Sequence, residues 1–151
     1  MSTISRRRML GTTGATLLLP AFPLYAATKT VSANTDRAAI DGYDTTAYWQ
    51  IAAPRIGNSA YAITWQGAQW LFADAGAAAT FTAEPDRYAP QFGGHCTRAM
   101  SFGKVVNGDP HVWRIYRDKL YLFAQAIGGE KFDGGPDAMI ALAQTQWDKL
   151  G

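Results

Sequence analysis

Cysteine and histidine are scarce in this chain of 151 residues. It has one cysteine, Cys96, and two histidines, His95 and His111. A single cysteine excludes an intramolecular disulfide and a Cys-x-x-Cys redox pair. A structural zinc site with four cysteine or histidine ligands is also excluded, because only three such side chains exist. Any thiol chemistry must therefore depend on Cys96 without a second cysteine.

An excess of positive charge is also absent once the N-terminus is set aside. The net charge is +2, and Arg6, Arg7 and Arg8 are three of the 14 basic residues. The others are balanced by 12 acidic residues, so the basic pI comes from the N-terminus. This balance gives no support for nucleic-acid binding. No glycine-rich phosphate-loop pattern indicates a nucleotide site either.

Residues 1–26 have the pattern of an export signal. A charged start is followed by an apolar stretch, Met9 to Leu19, that is too short to span a bilayer comfortably and is followed by Pro20. The stretch Ser5 to Leu10, "SRRRML", resembles the twin-arginine signal, which implies export of the folded protein to the periplasm. Cleavage is expected near Ala26. An ordinary secretory signal is the alternative.

The rest of the chain is predicted to form a linker and one domain. Residues 27–37 are small and polar, which predicts a flexible linker. Residues 38–151 are predicted to form a small α+β domain, not membrane-spanning, in which short antiparallel β-hairpins pack against helices. Alternating apolar residues predict hairpins within 60–73 and 112–124. The hairpin-then-helix unit occurs twice, but the sequence shows no repeat of fixed period.

Helices are predicted from capping residues and apolar spacing. Asp74 is expected to cap an alanine-rich helix, and Asp44 a short helix that carries Tyr48 inward. A short helix is expected in "HCTRAMSFG", ending at Gly103, and "GGEKFDGG" is expected to be loop or a fragment of helix. The final helix is expected over "PDAMIALAQTQWDKL". Its predicted apolar face comprises Met139, Ile140, Leu142, Ala143 and Trp147.

Several stretches taken together resemble a known family. "IDGYDTTAYW", "WQGAQWLFA", "EPDRYAPQFGGHC" and "KLYL", within residues 38–124, resemble the exported YHS-domain proteins, in the branch where the cysteine is sometimes selenocysteine. The chain departs from the family at His95, where tyrosine is usual, and at Phe123, where asparagine is usual. The matching positions include Tyr43, Asp44, Tyr48, Tyr88, Pro90, Gly93, Gly94 and Cys96.

The resemblance implies two kinds of chemistry for Cys96. Related YHS domains occur in heavy-metal transporters, which implies metal binding. Replacement of the cysteine by selenocysteine implies a chemically active group at position 96. Tyr43, Tyr48 and Tyr88 belong to the matched motifs, and we expect them to pack around the cysteine loop and to hold its backbone through their hydroxyls.

The neighbours of Cys96 suggest how it could act. A helix starting near Gly94 would place Cys96 in its first turn, where the helix dipole favours thiolate. Met100 lies four residues on, on the same helix face, and a thiolate with a thioether suits copper(I). The leading hypothesis is therefore a soft-metal site, copper above others, formed by Cys96 and Met100 with His95 or His111.

Two other hypotheses stay open. Cys96 could be a redox thiol that forms a sulfenic acid and needs an external reductant. Alternatively the domain could be a non-catalytic structural or interaction module with a buried cysteine. A hydrolase-like set of Cys96, His111 and Asp109 lacks a nucleophile-elbow pattern. A metal ion or an exported partner protein is the expected partner, and the oligomeric state is not predicted.

Overall fold

The structure is a computed structural model that describes residues 29–34 and 38–151. The expected export signal and residues 27, 28 and 35–37 of the expected linker lie outside the described residues. The described chain is a small α+β domain, as predicted. Its strands are β1 (Asn58–Trp65), β2 (Ala68–Phe72), β3 (Asp109–Tyr116) and β4 (Lys119–Phe123). Its α-helices are α1 (Ala47–Gln50), α2 (Ala75–Ala83), α3 (Pro85–Tyr88), α4 (Thr97–Ser101), α5 (Ala126–Asp133) and α6 (Pro136–Asp148).

Both predicted hairpins are confirmed. β1 pairs with β2 and β3 with β4, each as an antiparallel two-stranded sheet. The turns fall at Gln66-Gly67 and Arg117-Asp118, where every residue has a positive φ. Positive φ at both central residues gives a tight turn the twist that matches its flanking strands. The connections thus lie within the predicted hairpins, and the positive φ values define their type.

The two hairpins have the same register and the same bulge, and each is followed by a helix, as the hairpin-then-helix unit that occurs twice in the sequence leads us to expect. In the first hairpin Asn58 pairs with Phe72 and Ala62 with Leu71, with a bulge between the pairs. In the second, Asp109 pairs with Phe123 and Trp113 with Leu122, again with a bulge between them. Each residue of the second hairpin lies 51 positions after its counterpart. The following helices, α2 and α5, correspond as well.

The repeat extends to the segments that precede the hairpins. The 3-10 turns Ile40–Gly42 and Gln91–Gly94 both contain consecutive residues with positive φ. Gly57 N donates to Gly42 O, and Gly108 N donates to Gly94 O. We call residues 40–83 the first repeat and residues 92–133 the second. Corresponding residues are 52 positions apart before the hairpins and 51 positions apart within them. The reason is that the loop before the second hairpin is one residue shorter: the bonded residues are 42 and 57 in the first repeat and 94 and 108 in the second.

The repeats contribute to two buried clusters, and the first cluster also contains Leu120 and Leu122 from the second repeat. The first cluster contains Trp70, Phe72 and Phe81. The centre of the Phe81 ring lies 5.2 Å from that of Trp70 and 4.9 Å from that of Phe72. The second contains Tyr121, Phe123 and Phe132, with ring separations of 5.2 Å around Phe132. These aromatic pairs supply large apolar area and favourable edge and stacking contacts. Cys96 and Met100 belong to the second cluster.

The helices agree with the sequence except in detail. The Asp74 side chain accepts a hydrogen bond from Ala77 N at 2.8 Å and caps α2, as predicted. The segment left as loop or helix fragment is the helix α5. The predicted face of α6 is wrong at Leu142, which is 56% exposed while Ala143 is fully buried. Although Leu142 lies between Met139 and Trp147 in the sequence, its side chain is on the side of α6 that faces solvent.

Residues 29–34 lie within the expected linker, and they contact the domain. Ser32 N donates to Gly93 O at 2.7 Å, and Ile40 N donates to Ser32 O at 2.9 Å. Lys29 lies over the ring of Trp147 near the end of α6. We call residues 29–34 the N-terminal strap. Among the residues that the structure describes, no helix is long and apolar enough to cross a membrane.

Candidate functional site

Cys96 lies at the start of α4, which begins a few residues further along the chain than a helix starting near Gly94. Gly93 and Gly94 have φ values of 62° and 81° and belong to the 3-10 turn, and α4 begins only at Thr97. Cys96 is consequently the N-cap residue. Its Sγ accepts a hydrogen bond from Ala99 N at 3.4 Å, and its own N donates to Val106 O at 2.7 Å. The Cys96 side chain thus caps α4.

The Cys96 side chain lines a groove of about 300 Å³. Cys96 is 5% exposed, whereas Phe102 is 68%, Val106 43% and Ile127 40% exposed. These three apolar residues also line the groove, together with Arg98 and Lys104. Cys96 is therefore a mostly buried lining residue of a groove whose rim is apolar and basic. We call it the Cys96 groove.

The first repeat fills the corresponding place with an ion pair. Asp44 is the counterpart of Cys96, because Asp44 N donates to Arg55 O as Cys96 N donates to Val106 O. The Arg55 guanidinium donates to Asp44 Oδ2 at 3.0 Å and to Gln50 Oε1 at 3.4 Å. Gln50 and Arg55 correspond to Phe102 and Val106, and both of these line the groove. Where the first repeat holds a guanidinium, the second has open space.

Asp44 was predicted to cap the short helix α1, and that role is only partly correct. Its side chain accepts from Thr46 N and Thr46 Oγ1, but Thr46, the N-cap, makes no side-chain cap bond of its own. Asp44 Oδ2 also accepts from Ala73 N at 3.0 Å, which ties α1 to the end of β2. The Asp44 side chain has no exposed surface. It is a buried structural anchor.

The charges at the Cys96 groove are unbalanced. Arg98 and Lys104 are its charged lining residues, and no carboxylate among the described residues lines it. In the described part of the chain, Arg55, Arg87, Arg114 and Arg117 each lie within 4 Å of a carboxylate, and Arg98 does not. Lys104 forms no ion pair with a described residue either. The Arg98 guanidinium lies 5.8 Å from the centre of the Phe102 ring.

His95 does not face the Cys96 groove. It is 3% exposed, and its Nε2 lies 3.0 Å from Thr30 O and 3.2 Å from Thr30 Oγ1 in the N-terminal strap. Its ring packs 6.3 Å from that of Trp147. Burial lowers the pKa of His95, an effect that a hydrogen bond to the Thr30 backbone opposes. His95 holds the strap and is neutral at neutral pH.

His111 is exposed and belongs to another group of side chains. Its Nδ1 lies 3.1 Å from Asp109 Oδ1, and its Nε2 lies 3.3 Å from Tyr43 Oη. The two rings meet edge to face at 5.1 Å. His111 and Asp109 are thus paired, as the hydrolase-like set requires, but their contacts are with Tyr43 and with each other, not with Cys96.

Cys96 and Met100 are the two predicted metal ligands that share one environment. Met100 N donates to Cys96 O at 2.9 Å, so the residues are one helical turn apart, and both belong to the second buried cluster. Met100 is 1% exposed. In the described residues no group of three or more His, Cys, Asp and Glu side chains could hold a metal ion. The donor set available to copper(I) is therefore one thiolate and one buried thioether.

The tyrosines of the matched motifs hold other parts of the domain than expected. The Tyr48 hydroxyl donates to Pro110 O at 2.8 Å, and the Tyr43 hydroxyl meets His111, rather than the backbone of residues 93–96. Burial raises the pKa of Tyr48 far above its ordinary value. Tyr88 packs edge to face on Trp49 at 6.2 Å. Pro90 is buried, and its ring lies where a side chain at Gly94 would project.

Sequence reasoning missed Arg98, Lys104, Phe102 and Ile127 as neighbours of the thiol. They come from α4, the following loop and the start of α5, which only the fold brings together. Aligning "IDGYDTTAYW" with "FGGHCTRAMS" would have paired Asp44 with Cys96 and indicated the repeat. Comparisons of the chain with protein-family models, with curated proteins and with solved structures found no match.

Proposed function

We propose that the domain acts through Cys96 as a single redox thiol, oxidised by a peroxide and restored by an external thiol. The observation that carries this proposal is the position of Cys96 in the lining of a groove, with Ala99 N donating to its sulfur. The groove gives a small oxidant a path to a side chain that is otherwise buried. The bond from Ala99 N holds the sulfur at the start of α4, and the thiolate is the form in which a cysteine reacts with a peroxide.

The proposed reaction has two stages. The Cys96 thiolate attacks one peroxide oxygen, an S–O bond forms as the O–O bond breaks, and the leaving hydroxide takes up a proton to become water. The sulfur, now a sulfenic acid, has lost two electrons to the peroxide. One external thiol then condenses with it, releasing water and forming a mixed disulfide, and a second external thiol releases Cys96 as thiol. The second thiol must come from outside, because Cys96 is the only cysteine.

Trapping of the sulfenic acid tests this proposal. The full chain is treated with hydrogen peroxide and a dicarbonyl reagent specific for sulfenic acids, and the adduct is located by mass spectrometry. We expect an adduct on Cys96 that forms faster in the folded protein than in the same chain unfolded in urea, and none in Cys96→Ser. An adduct that forms only after unfolding would instead support the structural module with a buried cysteine.

A soft-metal site is the second candidate, favoured by the common environment of Cys96 and Met100. Two sulfur donors are a set that copper(I) accepts. Anaerobic titration with copper(I) tests it, with Cys96→Ser and Met100→Leu as the two variants. Weaker binding in both variants would support the site, and equal affinity in all three proteins would exclude it. Met100→Leu keeps the buried volume nearly unchanged, so it separates ligation from packing.

We also propose that the chain is an exported YHS-like protein that reaches the periplasm by the twin-arginine route. The quoted stretches within 38–124 and the "SRRRML" signal support this proposal. Cell fractionation of the full chain and of Arg6→Lys with Arg7→Lys is the test. Retention of the double variant in the cytoplasm would support the twin-arginine route, and unchanged export would favour an ordinary secretory signal.

A further inference from the structure

We infer that the Cys96 groove binds a small amphipathic anion, with its apolar part against Phe102 and Ile127 and its anionic group at Arg98 and Lys104. The binding of this anion does not depend on the proposed function, but the reaction does. In that reaction the oxidant of Cys96 would be an organic hydroperoxide that carries a carboxylate. The sulfur takes the terminal peroxide oxygen, and the alkoxide that leaves is protonated to the alcohol.

The comparison between the repeats carries the first step. In the first repeat the Arg55 guanidinium lies between Asp44 and Gln50, and these contacts close the site from within. The second repeat has Cys96, Phe102 and Val106 at the three corresponding positions, and a groove of about 300 Å³ lies there. That volume is at the lower end of cavities that hold small organic ligands. The open space thus replaces a specific internal ion pair and is not a gap in packing between unrelated elements.

Charge decides the sign of the ligand. The described residues that line the groove include two cations and no carboxylate. Arg98 differs from the other described arginines in having no acidic partner within 4 Å. A bound carboxylate would supply the missing partner, and the planar guanidinium suits it geometrically. The packing of Arg98 on the ring of Phe102 keeps the cation beside the apolar rim.

The start of α5 adds to the same preference. In the first repeat Asp74 brings a carboxylate to the N-terminus of α2. The corresponding Gln125 makes no side-chain cap bond at the N-terminus of α5, and Gln125 and Gly128 both line the groove. The positive end of an eight-residue helix therefore faces the groove without the carboxylate that its counterpart has. A ligand anion would occupy the place of that carboxylate.

The exposed apolar residues at the rim of the groove indicate that the uncharged part of the ligand is a hydrocarbon segment. Phe102, Val106 and Ile127 are among the most exposed large apolar residues of the described chain, and all three line this groove. Covering them removes apolar surface from water, which favours binding of a hydrocarbon segment. An inorganic anion would leave this surface exposed.

Binding is tested on the full chain carrying Cys96→Ser, so that no thiol chemistry intervenes. Octanoate and octanol, at concentrations where both are monomeric, are titrated while backbone amide shifts are followed by NMR. We expect shifts at Ala99, Gln125 and Gly128, and affinity for octanoate about tenfold above that for octanol, the effect of one charge-assisted hydrogen bond. Arg98→Gln with Lys104→Gln should abolish this preference, and Ile127→Asn should weaken both ligands.

The matched control is Lys119→Gln with Lys131→Gln, which removes two exposed cations that do not line the groove. Equal affinity for octanoate and octanol, absence of shifts at the groove, or an equal loss in the control variant would overturn the inference. Octanoate binding without a sulfenic acid in the wild type would overturn the proposed reaction and leave the inference standing. In the wild type, a hydroperoxy derivative of octanoate should react faster than its methyl ester.

Discussion

Cys96 occupies in the second repeat the place that Asp44 occupies in the first. The backbone bonds are the same, since Asp44 N donates to Arg55 O at 2.8 Å and Cys96 N donates to Val106 O at 2.7 Å. The side chains differ in what surrounds them: Asp44 has four hydrogen-bonding partners, and Cys96 has one donated N–H and a groove. The backbone hydrogen bond at this position is therefore common to both repeats, whereas the side chain differs and can serve a different function.

Removal of the Asp44 carboxylate should be costly. Asp44→Ala leaves Thr46 N, Ala73 N and the Arg55 guanidinium without their acceptor, so we expect a loss of about 3 kcal/mol in the free energy of unfolding. The matched control is Asp133→Ala, which breaks the exposed pair with Arg114 and should cost less than about 1 kcal/mol. Urea denaturation measures both. Equal losses would mean that Asp44 is not the anchor of the first repeat.

Gly93 should be required for the N-terminal strap. It has a φ of 62°, and a Cβ there would collide with the carbonyl oxygen of Thr30. Gly93→Ala should therefore displace the strap and expose Ser32 N, whose bond to Gly93 O holds it. Hydrogen exchange at Ser32 and Ile40 is the measurement.

Gly67→Ala is the control for Gly93→Ala, because Gly67 has a similar φ of 75° but open space around the added Cβ. It should cost about 1 kcal/mol from backbone strain alone, without faster exchange in the strap. Rapid exchange at Ser32 in both variants would show that general destabilisation, and not the contact with Thr30, releases the strap.

Burial of His95 should make the protein less stable in acid. Because the pKa of His95 is lower in the folded chain than its ordinary value near 6.5, the unfolded chain binds the proton more readily. Stability is therefore retained above about pH 6.5 and lost as the pH falls from there toward the folded pKa. His95→Gln should reduce this loss in denaturation curves measured between about pH 7 and 5.

The control is His111→Gln, which removes an exposed histidine and keeps His95. This variant should keep the loss of stability in acid that His95 causes. If the stability of the wild type and of His95→Gln falls by the same amount over this pH range, burial of His95 is not the cause of the acid sensitivity.

Local signals predicted the elements well, because hairpin turns and helix caps depend on neighbouring residues. The alternation around Gln66-Gly67 and the cap at Asp74 are examples. The hairpin-then-helix unit is visible twice in the sequence, but the correspondence of single residues was missed because the paired residues differ chemically: Asp44 with Cys96, Tyr43 with His95, Tyr48 with Met100. The partners of His95 could not be predicted either, since Thr30 is 65 residues away in the chain.

Exchange of the paired residues tests the repeat directly. Cys96→Asp places a carboxylate in the second buried cluster without the guanidinium that Arg55 supplies to Asp44. We expect this variant alone to lose about 3 kcal/mol, the effect of a buried charge left unpaired. Adding Val106→Arg restores the partner at the position that corresponds to Arg55, and should recover about 1 to 2 kcal/mol.

The coupling between the two substitutions is measured by urea denaturation of wild type, both single variants and the double variant. Val106→Arg with Cys96→Ser is the control, because it fills the groove but supplies no carboxylate, and it should show no such recovery. Strictly additive losses in the double variant would contradict the equivalence of Asp44 and Cys96. A recovered ion pair should also prevent octanoate from shifting the Gly128 amide, because the new guanidinium would occupy the groove as Arg55 occupies the first repeat.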